Sequence, residues 1–312
     1  MHIALNIFLL LVGFALLIQS AKVFVGASVD IARFLKIPRP VIGLTVVAMG
    51  TSAPEFIISV SAAVGGSGNL AVANVVGSNI FNLLFIVGFC ALLYPIATKM
   101  TSISRDYWVG AAATVALFAI VLIFNDTIPR FAAFILLAGF MVYMVKVVLH
   151  TMKHKVNDED NNKLRPLWQS ILLALLGIAV IIGAGQLTVF SAVNIAQAAG
   201  VTERIIGLTI IAMGTSLPEL VTTIIACRKG EGEFALSFII GSNIFNIMFV
   251  LGVSGLITPL AFEPGVTIDM AVLTVGTLAF FLLAYSGRRV VRFEGFAMVA
   301  LYTGYMIWLI VN

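Results

Sequence analysis

Apolar runs long enough to cross the hydrocarbon of a bilayer, about 30 Å or roughly 20 residues of helix, recur along the whole 312-residue chain. Ten can be marked out, at 3–32, 40–64, 70–93, 107–124, 131–149, 167–197, 204–226, 234–257, 268–285 and 294–311. They are apolar on every side, which suits membrane helices and not the alternating strands of about ten residues that build a barrel. With 61% hydrophobic and only 10% charged residues, the chain is far from the mixture of a soluble domain. The expected fold class is an all-α polytopic membrane protein. The first run could pass for a secretory leader, but its start lacks Lys or Arg, its pattern continues to Arg33, and a counterpart recurs at 167–197. Retention of that run is the expectation.

Orientation follows from the basic residues. Placing odd-numbered connections in the cytoplasm puts Arg33, Lys36, Arg39, Lys99, Arg105, Lys146, Lys153, Lys155, Lys163, Arg165, Arg228, Lys229, Arg288, Arg289 and Arg292 inside, and only Arg130 and Arg204 outside. The positive-inside rule then predicts a multi-pass inner-membrane protein with both termini extracytoplasmic and the hydrophilic connection 150–166 cytoplasmic. The net charge of +4 needs no nucleic acid to explain it. Cys90 and Cys227 lie in apolar spans without paired spacing and read as packing residues.

The chain also repeats itself. VIGLTVVAMGTSAPEFIIS from Val41 returns as IIGLTIIAMGTSLPELVTT from Ile205, and VVGSNIFNLLFIVG from Val75 as IIGSNIFNIMFVLG from Ile239. Glu219 minus Glu55, Asn246 minus Asn82 and Pro259 minus Pro95 each give 164, and about half the residues of 41–88 are identical to their counterparts. The chain divides into residues 1–149, a connecting loop 150–166, and residues 167–312. Each half holds five spans, so the second enters the membrane from the opposite side. Inverted repeats of this kind let two similar halves exchange inward-open and outward-open shapes around one midplane site.

Each copy carries a glutamate in mid-span, where an ionisable group costs at least about 2.5 kcal/mol unless it faces a cavity or a partner. A pseudo-twofold axis would bring Glu55 and Glu219 together, with a joint charge of about −2 that one divalent cation neutralises. Pro54 and Pro218 cannot donate the helical hydrogen bond, which is expected to free the carbonyls of Gly50 and Gly214 as ligands. The hydroxyls of Thr51, Ser52, Thr215 and Ser216 and the amides of Asn82 and Asn246 complete an all-oxygen set suited to calcium and sodium. In GSNIFN, Ser78 and Asn82 share one helix face, as do Ser242 and Asn246, and Gly77 and Gly241 permit close helix approach.

Other polar residues have plainer explanations. Lys22, aligned with Gln186, reads as a snorkelling side chain or one with a buried partner. Asp106 and Asp269 read as acids at helix starts. Asp158-Glu159-Asp160-Asn161-Asn162 begins like a calcium loop, but Lys163 stands where its Gly belongs and Gln169 where its bidentate Glu belongs. A solvated loop is the reading there.

GTSAPE and GTSLPE, each followed about two dozen residues later by GSNIFN, resemble the α-repeats of the cation/calcium antiporter superfamily, especially prokaryotic sodium/calcium exchangers. The resemblance covers nearly the full chain and is strongest in 41–95 and 205–259. It implies calcium held by Glu55 and Glu219 with the carbonyls of Thr51 and Thr215. Flanking sodium sites would draw on Ala48, Ser52 and Ser78 in one half and on Ala212, Ser216 and Ser242 in the other, with Asn82 and Asn246 lining the centre. It also implies three sodium ions exchanged per calcium. Some members carry an acid at the position of Asn246, so this chain has two carboxylates instead of three. The expected function is secondary antiport of calcium against sodium, with calcium/proton or potassium-dependent exchange as alternatives. No enzymatic activity, cofactor or obligate protein partner is expected: serine chemistry would want a nearby base, and His2, His150 and His154 all fall at membrane edges or in the loop.

Overall fold

The computed structural model describes residues 3–97, 100–153, 165–200, 212–261, 266–287 and 289–311. Apart from four two-residue strands, the regular structure among these residues is helical. Among the described residues seven helices are long and apolar enough to cross a membrane, and the bent pair Arg39–Thr51 and Ala53–Val64, taken as one span, makes eight. The last expected run is the 20-residue helix Arg292–Val311. The seventh is described from Ala212 onward, and the acidic run 158–162 lies outside the described residues.

Two helices of 32 residues, Ile3–Phe34 and Leu167–Ala198, are each about 48 Å long at 1.5 Å per residue, well beyond the hydrocarbon thickness. They pack on one another along small residues. A Cβ on Gly13 would strike the Thr188 hydroxyl, and one on Gly177 would sit 3.0 Å from Phe24 Cβ. These two contacts are images of each other, since 13 and 177, like 24 and 188, differ by 164.

The remaining helices do not sort into separate halves. Phe81 stacks on Phe85 at 4.9 Å and both meet Tyr302 of the last helix at 5.4 Å. In mirror fashion Phe245 stacks on Phe249 at 4.8 Å, and both meet Phe140 of the helix Arg130–Lys153, at 5.8 and 5.3 Å. The strands repeat the exchange: Ile96 and Ala97 pair with Val290 and Arg289, and Thr127 and Ile128 pair with Ala261 and Leu260. Each half therefore completes its core with helices borrowed from the other.

Several local expectations change in three dimensions. The fourth helix starts at Met100, so Asp106 lies beyond its first turn, where its carboxylate accepts the Tyr143 hydroxyl at 2.9 Å. Asp269 does lie in a first turn and accepts Tyr305 at 2.8 Å. Lys22 is half-buried, and its backbone carbonyl accepts the Lys229 ammonium at 2.6 Å. Cys90 and Cys227, which have no paired spacing in sequence, are buried free thiols that lie close to each other.

Candidate ion-binding site

The site is built where helices break. Ser52 stops the helix Ala48–Thr51 with φ −80° and ψ 11°, Ala53–Val64 restarts at a 47° bend, and Pro54 sits in the first turn, where its missing N–H costs nothing. Ser216 repeats the break with φ −92° and ψ 10° ahead of Leu217–Arg228 and Pro218. Both serines lie in the sparsely populated bridge region, common among functional residues. Each new half-helix opens with a glutamate in its first turn, where the positive end of the helix dipole favours a carboxylate.

Glu55 and Glu219 are fully buried, and so are Ser52, Ser216, Ser242, Asn82 and Asn246; Ser78 is 2% exposed. Ser52 Oγ donates to Glu219 Oε1 at 3.1 Å, and Ser216 Oγ donates to Glu55 Oε1 at the same distance. Each carboxylate is thus met by the serine of the opposite copy. Ser78 Oγ also comes within 3.4 Å of Glu55 Oε1, but with Ser216 donating to Glu55 its proton goes to Ser216; the serines join in pairs, Ser52 with Ser242 at 2.7 Å and Ser78 with Ser216 at 2.9 Å. Since Ser52 spends its one proton on Glu219, Ser242 must be the donor in their contact.

The asparagines are oriented by the same logic. Asn79 Nδ2 donates to the Asn243 carbonyl at 3.2 Å, and Asn243 Nδ2 to the Asn79 carbonyl at 3.3 Å. A carbonyl only accepts, so both amide groups are fixed with their Oδ1 atoms turned elsewhere. Those oxygens take Asn246 Nδ2 and Asn82 Nδ2, each at 3.1 Å. Asn82 and Asn246 consequently present oxygen, not nitrogen, on their other side. Glu55 Oε2, Glu219 Oε2, Asn82 Oδ1 and Asn246 Oδ1 are all buried acceptors without a hydrogen-bond donor. Buried acceptors cost free energy unless something positive satisfies them, and four hard oxygens with two formal charges suit a calcium or sodium ion. Among the described residues no group of three or more His, Cys, Asp and Glu could hold a metal ion; serine oxygens stand beside the two glutamates.

The Ser52 N–H bonds the Ala48 carbonyl at 3.1 Å, which leaves that oxygen one lone pair, and Pro54 has no N–H to give the Gly50 carbonyl. Thr51 is fully buried and gives its hydroxyl proton to the Val47 carbonyl at 3.1 Å. Thr215 is half-buried beside Gly214, and the side chain of Ala212 lies outside the described residues. Gly241 works as expected: a Cβ there would strike the Leu44 carbonyl, which lets the helix Gly232–Ile244 carry Ser242 up to Ser52. The neighbour equivalent to Leu44 for Gly77, Leu208, lies outside the described residues.

Asn79 and Asn243 are the functional residues that the sequence reading passed over, although both lie in GSNIFN. Asn243→Leu should remove the acceptor for Asn82 and the donor to Asn79, freeing the Asn82 amide to rotate its nitrogen into the pocket. We expect calcium uptake to fall at least about tenfold, from two lost part-buried hydrogen bonds of about 1 kcal/mol each, with thermal stability lowered by a similar energy. Uptake equal to wild type would show that the asparagine ring does not orient the pocket.

A cavity of about 290 Å³ reaches this region, lined by Pro54, Gln186, Val189, Gly214, Thr215 and Pro218 among others. A second, of about 510 Å³, is lined by Arg33, Lys36, Arg39, Cys227, Glu231 and Glu233, and Arg39 closes on Glu231 at 2.6 Å within it.

Comparison with known proteins places this geometry. The family model described as sodium/calcium exchanger protein matches residues 5–149 and 169–311. CaxA of Alkalimonas amylolytica is 40% identical over 95% of both chains. The sodium/calcium exchanger MaX1 of Methanosarcina acetivorans is 32% identical over 98% of both, and the inner membrane protein YrbG of Escherichia coli is 34% identical over 96% of this chain and 94% of its own. A solved structure of the sodium-calcium exchanger NCX_Mj, soaked with zero Na+ and Ca2+, superposes with a TM-score of 0.87 at 29% identity, covering 99% of this chain and 100% of that one.

Proposed function

Because this chain belongs to the sodium/calcium exchanger protein family, we propose that it exchanges calcium for sodium across the membrane by alternating access at the pocket between Glu55 and Glu219. The observation that carries this reading is the set of four buried acceptor oxygens, two carboxylate and two amide, that no donor satisfies. Calcium would take these oxygens together with the Thr51 and Thr215 carbonyls. Sodium would use the serine pairs on either side, with the backbone at Ala48 and Ala212.

The architecture in this proposal is ten spans in two inverted five-helix repeats. Its support is the constant offset of 164 and the twofold pattern of contacts, in which Ser52 meets Glu219 as Ser216 meets Glu55. With the termini extracytoplasmic, the cavity beside Pro54 and Pro218 borders the second half of Leu167–Ala198 and would admit ions from outside. The Arg39–Glu231 pair would close the cytoplasmic side.

Purified protein in sealed vesicles supplies the test. An outward sodium gradient should drive calcium uptake, whereas potassium or pH gradients of equal size should not. Uptake driven only by a pH gradient would replace sodium by protons as the counter-ion, and uptake requiring potassium would make the exchange potassium-dependent. For topology, a single Cys at Asn157 in a C90A/C227A background should resist an impermeant thiol reagent applied to intact cells and react after lysis. Labelling from outside would reverse the orientation.

A further inference from the structure

A groove of about 690 Å³ lies between the helices Met100–Ile123 and Arg130–Lys153 and shares no lining residue with the pocket or with the two cavities near it. Its chemistry changes along its length. One end carries Arg105 from the first helix, with Lys146 and His150, one turn apart, from the second, all exposed. The floor is apolar, formed by Val109, Val142 and Met248, and it is deep because the Met248 methyl lies only 2.9 Å from where a Cβ on Gly139 would be. The Tyr143 hydroxyl, donated to Asp106 at 2.9 Å, ties the two helices together at the level of the basic end. That bond also occupies the acid next to Arg105. The fold does not require these charges: in the other half, where Asp269 and Tyr305 repeat the bond of Asp106 and Tyr143, Ile268 stands for Arg105 and Trp308 for Lys146.

We propose that this groove is a binding site for an anionic phospholipid of the surrounding bilayer. The phosphate is held by Arg105 and Lys146 with His150 as a further donor, and the first part of an acyl chain lies over Val109, Val142 and Met248. A soluble phosphate would satisfy only the basic end, and a zwitterionic lipid would bring a cationic headgroup against Arg105 and Lys146 along with its phosphate. An anionic lipid satisfies both, and under the topology above the basic end meets the cytoplasmic leaflet, where such lipids concentrate. The site does not depend on which ions are exchanged.

Native mass spectrometry of the full-length protein in detergent, titrated with phosphatidylglycerol or phosphatidylcholine of identical chains, reads the site directly. Phosphatidylglycerol should show one tight binding event absent with phosphatidylcholine. In R105Q/K146Q that event should weaken about 30-fold, from two surface charges each worth about a factor of five, while R105K/K146R keeps it. Both residues are exposed, but if the double variant is unstable, R105Q and K146Q singly should each weaken binding about fivefold. Glycerol phosphate, which has the headgroup chemistry without chains, should not compete. Equal binding of the two lipids, undiminished phosphatidylglycerol binding in the Gln variants, or full competition by glycerol phosphate would each overturn the proposal. The readout is lipid mass alone, so a protein that failed to exchange calcium for sodium would leave this result untouched.

Discussion

Glu55→Gln or Glu219→Gln is expected to weaken calcium binding by a factor of about 10² to 10³ and to bring calcium uptake to background. Each glutamate is fully buried and supplies half the charge that offsets a divalent ion. Removing one partner of a buried charge pair costs about 3–5 kcal/mol, because the other charge is left uncompensated. The substitution is mild in every other respect. Gln keeps an oxygen for the serine bonds at Oε1, so the folded protein should melt within a few degrees of wild type. The two single variants should be about equally impaired, since the contacts around them are images of each other. Calcium-45 uptake by vesicles with matched amounts of inserted protein decides the matter. Near-normal uptake in either variant would falsify the shared site.

Exchange is expected to move one net positive charge per cycle. Two ionised glutamates are neutralised by one calcium, whereas the three sodium ions implied by the resemblance leave the pocket at about +1. That excess is costly at low dielectric; the amide oxygens of Asn82 and Asn246 and the serine oxygens would spread it. One charge crossing the full potential is worth about 2.3 kcal/mol per 100 mV, so a 100 mV potential should shift the calcium ratio at equilibrium about 50-fold. Proteoliposomes clamped by a potassium diffusion potential would show this as a displaced reversal point. A calcium gradient indifferent to voltage would indicate two sodium ions per calcium.

Much of this arrangement is legible in one sequence because membranes make polar residues conspicuous. Glu55 and Glu219 stand out as charges inside apolar runs, and their duplication at a fixed offset points to the reciprocal contacts each makes with the serine of the other copy. The serine and asparagine oxygens follow from the same motif. Asn79 was missed for a geometric reason: it lies about 100° around an α-helix from Ser78, and nothing within one copy says that it meets Asn243 of the other. The thiol contact of Cys90 with Cys227 likewise arises from helix packing, which sequence spacing does not report.

The exchange of helices between the two halves has a consequence for how the chain is made. Ile3–Phe34 leaves the ribosome long before Leu167–Ala198, its packing partner, and at about 5–20 residues per second the wait is roughly 10–30 s. During that interval Phe81 and Phe85 lack Tyr302, and Glu55 has Ser78 of its own copy but not Ser216 of the other. The newborn first half therefore sits in the bilayer with its most polar residues incompletely matched. Translation of the second half is in this sense the last step of folding the first.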